Sequence, residues 1–273
     1  MQGSGIWSPP TGTLGRIVQE TESRVSGLRG RADELREAAG SAPPPRHSLA
    51  RSLRQARVAV IAEVKRKSPS KGVINAGISA VDQARAYAKG GAAAISVLTE
   101  PNHFNGSVDD LDAVTAAVEL PALKKDFHID PLQLLEARVH GATAALLIVR
   151  ALRPDRLSEM LSTATSIGLE TIVEIRDEDE LRLALDCGAT IIGINNRDLE
   201  TLVIDPSTSD RLLPLLPASV IAIAESGMSS RADVERVAAL GVDAVLIGSA
   251  LSASADPADM VKDFASVRRV SRG

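Results

Sequence analysis

Short β-prone runs recur along the chain: VAVIAEV (58–64), AAISVL (93–98), LPALKK (120–125), TAALLIV (143–149), TIVEI (171–175), TIIGIN (190–195), SVIAIAE (219–225) and DAVLIG (243–248). Most lack the apolar–polar alternation of a half-exposed strand, so they read as strands covered on both faces. Between them, segments such as SAVDQARAYAKGG (79–91), DPLQLLEARVHGA (130–142) and SSRADVERVAALG (229–241) carry helical spacing. Eight strands alternating with helices predict parallel βα units closing into a single (β/α)8 barrel, an α/β fold. A weak repeat agrees. Gly91-Ala92, Gly141-Ala142, Gly188-Ala189 and Gly241-Val242 each end a helix just before a strand, about fifty residues apart. Glycine suits the left-handed residue that follows a helix. An open doubly wound sheet uses the same elements, but near-equal units favour closure.

Residues 1–57 precede the first strand. GTLGRIVQETESRVSGLRGRADELREAA (12–39) reads as one amphipathic helix, Ser41 to Pro45 as a break, and HSLARSLRQA (47–56) as a second, short helix. The segment is too short and too charged for a second globular domain. It is expected to pack as an extension on the barrel formed by residues 58–273. A 273-residue chain that is 44% hydrophobic and 24% charged can build so large a core. The net charge of −4 argues against a nucleic-acid or polyanion binder. Cys187 is the only cysteine, which excludes an intramolecular disulfide and fits a reducing compartment. No run of about 18 apolar residues predicts a membrane span, and the first residues lack a signal-peptide core. A cytoplasmic protein is expected. Aromatics are confined to Trp7, Tyr87, Phe104, Phe127 and Phe264, so the core must come from Val, Ile, Leu and Ala.

Barrel active sites form at the C-terminal ends of the strands. Those ends carry Glu63 and Lys65, two apart and so on one face. They also carry Phe104 after the second strand, Lys125 and Phe127 on the third, and Glu174 on the fifth. Asn195 and Arg197 follow from the sixth, Glu225, Ser226 and Gly227 from the seventh, Gly248 and Ser249 from the eighth. Lys124 faces away from Lys125 and reads as a solvated or paired charge. One such residue is unremarkable, since most charged side chains are solvated. So many converging on one mouth would be costly to bury unless they worked together, as in an active site. The runs ESGMSS and IGSAL offer small residues and free backbone N–H groups at helix starts, in the two loops where barrels commonly hold phosphate. A phosphate ester substrate is expected. The basic run KRKSPSK (65–71) has no interleaved aromatics and reads as a loop closing over that anion, with Lys65 and Ser68 reaching the phosphate. His47, His103, His128 and His140 show no ligand spacing and read as surface or helix residues, so no metal is expected. Cys187 reads as packing.

Taken in order, EVKRKSPSKG, LTEPNHFNGS, LKKDFHID, TIVEIRDEDEL, GINNRDLETL, AESGM and VLIGSAL resemble the indole-3-glycerol phosphate synthase family, from about residue 12 to 265. The resemblance implies a barrel whose N-terminal extension helps cover the mouth. It also implies a cofactor-free conversion of 1-(2-carboxyphenylamino)-1-deoxyribulose 5-phosphate to indole-3-glycerol phosphate. On that resemblance Lys125 is the acid of ring closure and Glu174 the base of the dehydration. Lys65 helps expel the hydroxyl and is oriented by Glu63. Asn195 and Ser226 hydrogen-bond the substrate, with Arg197 in support. Lys65, Ser68, Gly227, Gly248 and Ser249 take the phosphate, and Phe104 and Phe127 wall the anthranilate ring. His128 departs from the family, which usually has an aliphatic residue there; it either tunes the site or points into solvent. The expected partner is the phosphorylated substrate alone, with no nucleic acid, no membrane and no fused second enzyme, and the chain is expected to act as a monomer. Two alternatives compete with this reading. A phosphoribosylanthranilate isomerase-like barrel would want a cysteine on the first strand. A silent binding barrel would be free to lose Lys125, Glu174 or Asn195.

Overall fold

The eight apolar runs become eight strands: β1 Ala59–Val64, β2 Ala94–Leu98, β3 Ala122–Lys125, β4 Ala144–Ile148, β5 Glu170–Ile175, β6 Ile191–Asn195, β7 Ile221–Glu225 and β8 Ala244–Ile247. In the computed structural model, which describes residues 7–272, each pairs in parallel with its sequence neighbour. β1 closes the barrel on β8 with Ala59 opposite Ala244. The missing alternation has a direct cause. Val58, Val60, Ala62 and Val64 pack outward under the helices, while Ala59 and Ile61 fill the barrel interior. Burying each Val, Leu or Ile contributes roughly 1.5–3 kcal/mol before the cost of ordering the chain.

Strand parity then carries the interior row upward into polar chemistry. Above Ile61 comes Glu63, above Leu123 comes Lys125, above Ile172 comes Glu174, and above Ile223 comes Glu225. The helix-ending glycines have the expected left-handed backbone, with φ of +89° at Gly91, +75° at Gly141, +84° at Gly188 and +86° at Gly241.

The extension differs from its sequence reading. Residues 12–39 form two helices, α1 Gly12–Arg29 and α2 Ala32–Ser41, broken at Gly30 and Arg31. Gly30 is a poor helix former, and the two helices serve different surfaces. Leu14 and Ile17 of α1 join the barrel-interior cluster, whereas Leu35 and Ala39 of α2 pack on Leu132 and Leu135. A straight helix could not reach both. The second predicted helix shrinks to α3, Leu49–Leu53. The Glu170 carboxylate at the foot of β5 accepts hydrogen bonds from the Ser48 hydroxyl (2.8 Å) and the Leu49 N–H. Leu49 and Leu53 thereby plug the opposite end of the barrel from α1. A two-stranded hairpin, Lys67–Ser68 with Gly72–Val73, folds the basic loop and was not foreseen. No helix among the described residues is long and apolar enough to cross a membrane.

Candidate active site

A cavity of about 460 Å3 opens at the C-terminal ends of the strands, and all thirteen residues given a role on the family resemblance line it. At its floor the Lys125 ammonium lies 2.6 Å from Glu225 Oε2 and 3.4 Å from Glu174 Oε2. Asn195 donates through Nδ2 to Glu174 Oε1 (2.9 Å) and accepts the Arg197 backbone N–H on Oδ1 (2.9 Å). The carboxylate of Glu174 is thus fixed from one side and faces the ammonium with its other oxygen. On the β1 side, Lys65 Nζ donates to Glu63 Oε1 at 2.9 Å.

Two glycines make room for this network. A Cβ on Gly193 of β6 would overlap Glu225 Oε1, and one on Gly248 would overlap Glu63 Oε1. Gly248 therefore has a steric duty beside the phosphate role read from the sequence.

Three buried carboxylates, Glu63, Glu174 and Glu225, face two ammonium groups. Burial works against the charge on Lys125, but the fields of Glu225, Glu174 and Glu63 outweigh it and raise its pKa above the ordinary value. Burial pushes the Glu225 carboxyl up; Lys125 opposes the shift while Glu174 and Glu63 add to it. The result is a firmly protonated lysine beside the raised Glu225 carboxyl, a pattern suited to acid–base chemistry.

The aromatic wall stands above this floor. Phe104 and Phe127 have ring centroids 6.1 Å apart, and Lys65 Nζ sits 5.6 Å from the Phe104 centroid. Phe104 ends a one-turn helix, Pro101–Phe104, whose N–H groups at Asn102, His103 and Phe104 are all capped by the buried Glu100 carboxylate. Phe127 donates its N–H to Asp126 Oδ1 (2.8 Å). Asp126 in turn takes Arg24 of α1 at 2.8 and 3.1 Å and the Thr99 hydroxyl at 2.7 Å. Burial opposes the Asp126 charge, yet Arg24 and Lys124 hold the carboxyl far below the usual carboxylate range.

The end read from the sequence as taking phosphate is lined by Ser68 of the hairpin with Gly227, Gly248 and Ser249. Ser226 and Gly227 both have left-handed backbone, φ +64° and +82°. For Ser226 that conformation is strained by roughly 1–3 kcal/mol. Asn196 holds it there by donating from Nδ2 to the Ser226 carbonyl (3.0 Å), with its own Oδ1 taken by Ser209.

Lys124, read as solvated or paired, is paired: it is 1% exposed, turned outward beneath the helix Pro131–Val139 and bonded to Glu136. The reading of His128 needs correcting. His128 is neither a surface residue nor aimed at solvent: it is 1% exposed and does not line the cavity. Its Nδ1 lies 2.7 Å from the Leu146 carbonyl, so that nitrogen carries the proton and donates. Burial and the nearby Lys124 push its pKa down to about 3. The other three histidines pair with surface carboxylates, His47 with Glu119, His103 with Glu20 and His140 with Asp112. Sequence reasoning noted Glu225 at its strand end but left it out of the site. Its position two residues above Ile223, on the parity of Glu63 and Glu174, was the available signal. Arg24 and Asp126 lacked any such signal, because their contact joins helix and barrel across a hundred residues. No trio of His, Cys, Asp or Glu among the described residues could hold a metal ion.

Comparison with known proteins adds a family. A family model described as indole-3-glycerol phosphate synthase matches residues 14–264. An indole-3-glycerol phosphate synthase of Dehalococcoides mccartyi (strain CBDB1) is 47% identical over 234 residues, covering 85% of this chain and 90% of that protein. One from Mycolicibacterium smegmatis is 48% identical over 232 residues, covering 85% of each. Among solved structures, 3-hexulose-6-phosphate synthase from Salmonella typhimurium superposes with a TM-score of 0.63 at 16% identity, over 76% of this chain and 97% of that one. That likeness speaks to the fold alone.

Proposed function

We infer the working of the site from one premise: the chain belongs to the indole-3-glycerol phosphate synthase family. Its reaction is ring closure, decarboxylation and dehydration of 1-(2-carboxyphenylamino)-1-deoxyribulose 5-phosphate, giving indole-3-glycerol phosphate. The observation that carries the assignment of roles is Lys125, held between Glu174 and Glu225 on the cavity floor.

Ring closure drives negative charge onto the sugar carbonyl oxygen. A positioned ammonium in a water-poor mouth stabilises that charge and delivers a proton, and Lys125 is the group so placed. Loss of CO2 follows. Expulsion of the new hydroxyl needs a second acid and a base for the carbon-bound proton. Lys65, oriented by Glu63, is the acid, and Glu174, fixed by Asn195, is the base. Glu225 holds Lys125 in place and offsets its charge. Phe104 and Phe127 flank the anthranilate ring, and Asn195, Ser226 and Arg197 bind the polar parts of the substrate. Ser68, Gly227, Gly248 and Ser249 take the phosphate through hydroxyl and backbone N–H groups, with Lys65 at its edge. The described part of the extension, residues 7–57, acts as part of this barrel rather than as a domain, a reading supported by Leu14, Ile17, Leu49 and Leu53 lying in its interior cluster, while residues 1–6 lie outside the described residues. The free Cys187 supports a cytoplasmic location.

The test is indole fluorescence on adding the substrate to purified protein. A rising signal is expected; a flat trace from folded protein refutes the activity.

A further inference from the structure

Behind the catalytic cavity lies a smaller one of about 120 Å3, and Glu174, Asn195 and Arg197 line both. This annex therefore opens onto the carboxylate assigned as the base. Its far wall is the start of the helix Glu178–Asp186, with Asp177 and Glu180, and it reaches the surface there, since Asp177 is exposed. Nine of its thirteen lining residues are polar and the space suffices for several water molecules.

Ion pairs neutralise most of its charges. Arg150, following β4, pairs with Glu200 at 2.9 Å, and Arg176, following β5, lies 3.5 Å from Asp198. Glu174 faces Lys125, and Arg197 reaches the Leu202 carbonyl. Glu180 has no ion-pair partner among the described residues; its carboxylate accepts only the Arg176 N–H at 2.7 Å. Burial pushes its pKa up to about 8, helped by Asp177 and Glu174 and opposed by the Arg176 N–H and Arg150. A carboxyl of that kind exchanges protons near neutral pH.

The chemistry calls for such a group. The substrate carboxylate leaves as neutral CO2 and the phosphate keeps its charge, so each turnover consumes one proton. Put atom by atom, the carbonyl oxygen leaves as water with two protons, supplied by the lysines. Only one proton returns, from carbon to Glu174. The other must come from solvent while substrate fills the main cavity beneath α1.

We propose that Glu180 and the annex are the proton inlet of this site: Glu180 takes a proton from solvent and passes it through the annex to Glu174, which returns it to the lysines. Glu174 can do so because Lys125 Nζ is 3.4 Å away. This inference rests on the synthase reading and on Glu174 as its base. Glu180 is a relay and positioning residue that need not touch substrate.

The test is single-turnover stopped flow on the full-length protein, recording indole fluorescence and a pH-indicator dye together. In the wild type, proton uptake keeps pace with indole formation. In Glu180→Gln, which can still accept the Arg176 N–H, uptake falls behind by about 10²-fold, the lower end of what a positioned proton-transfer group supplies. Added imidazole restores it, and Glu180→Asp is intermediate. Uptake in step with indole in Glu180→Gln overturns the inlet alone, as does a slowing that imidazole fails to relieve. A flat indole trace in the wild type overturns the synthase reading and the inlet together.

Discussion

Replacing Lys125 with methionine keeps most of the buried volume and removes the ammonium. Glu225 and Glu174 then lose the positive charge at 2.6 and 3.4 Å. Two consequences follow, on different pH scales. Turnover should fall by about 10² or more, the usual contribution of a general acid. Stability should fall in a pH-dependent way. In the wild type the Glu225 pKa is already raised by burial, and Lys125 restrains that rise. Without the lysine it rises further. A raised carboxyl contributes stability that is complete below the unfolded value of 4.5 and is lost as pH climbs through the folded value. The variant should therefore match the wild type most closely near pH 5 and lag most at pH 8. There an unpaired buried carboxylate costs about 3–5 kcal/mol, each kcal/mol lowering Tm by roughly 2–4 °C for a protein of this size. Calorimetry across pH 5–8, with the fluorescence assay at each pH, measures both. A Tm deficit that stays flat or shrinks as pH rises would refute the charge argument, and near-normal turnover would remove Lys125 from the mechanism.

Gly193→Ala should force Glu225 off its place and cost about 1–3 kcal/mol of stability by overpacking, with a loss of kcat; wild-type kinetics would show that Glu225 is free to move. Arg24→Ala strands the Asp126 carboxylate and loosens α1, whose Thr13 and Ile17 line the cavity, so KM should rise more than kcat falls. Because the Asp126 pKa is depressed, the stability from its pairing is present above the unfolded value of 3.8 and disappears as pH falls below it, so the Tm gap from wild type should close in acid. His128→Leu should leave the kcat–pH profile between pH 5 and 9 unmoved, since a histidine with a pKa of about 3 stays neutral throughout; a displaced limb would give His128 a part in the chemistry.

These predictions divide along a line that runs through the sequence itself. The interior row was legible because strand parity is local. Once VAVIAEVK is a strand with Ala59 and Ile61 inside, Glu63 and Lys65 have one direction to point, and the same two-residue step reaches Lys125, Glu174 and Asn195. Parity also told Lys124 from Lys125, but it could not say what waits on the outer face. Lys124 found Glu136, a helix residue twelve positions on, so of solvated or paired it is the paired charge, and buried. The reading of His128 failed because a polar residue in a loop gives no sign of burial until the Leu146 carbonyl of the next strand offers it a partner. The break at Gly30 is the tertiary counterpart. Helical periodicity runs through residues 12–39 without interruption, and only the need to lay Leu14 and Ile17 on the barrel while Leu35 and Ala39 meet Leu132 and Leu135 bends it. The positions that catalysis is expected to use directly were thus readable from spacing, and their roles from the family resemblance. Those that hold them in register, Arg24, Asp126, Asn196 and Gly193, depend on contacts between distant segments, and they are where substitution should separate binding from turnover.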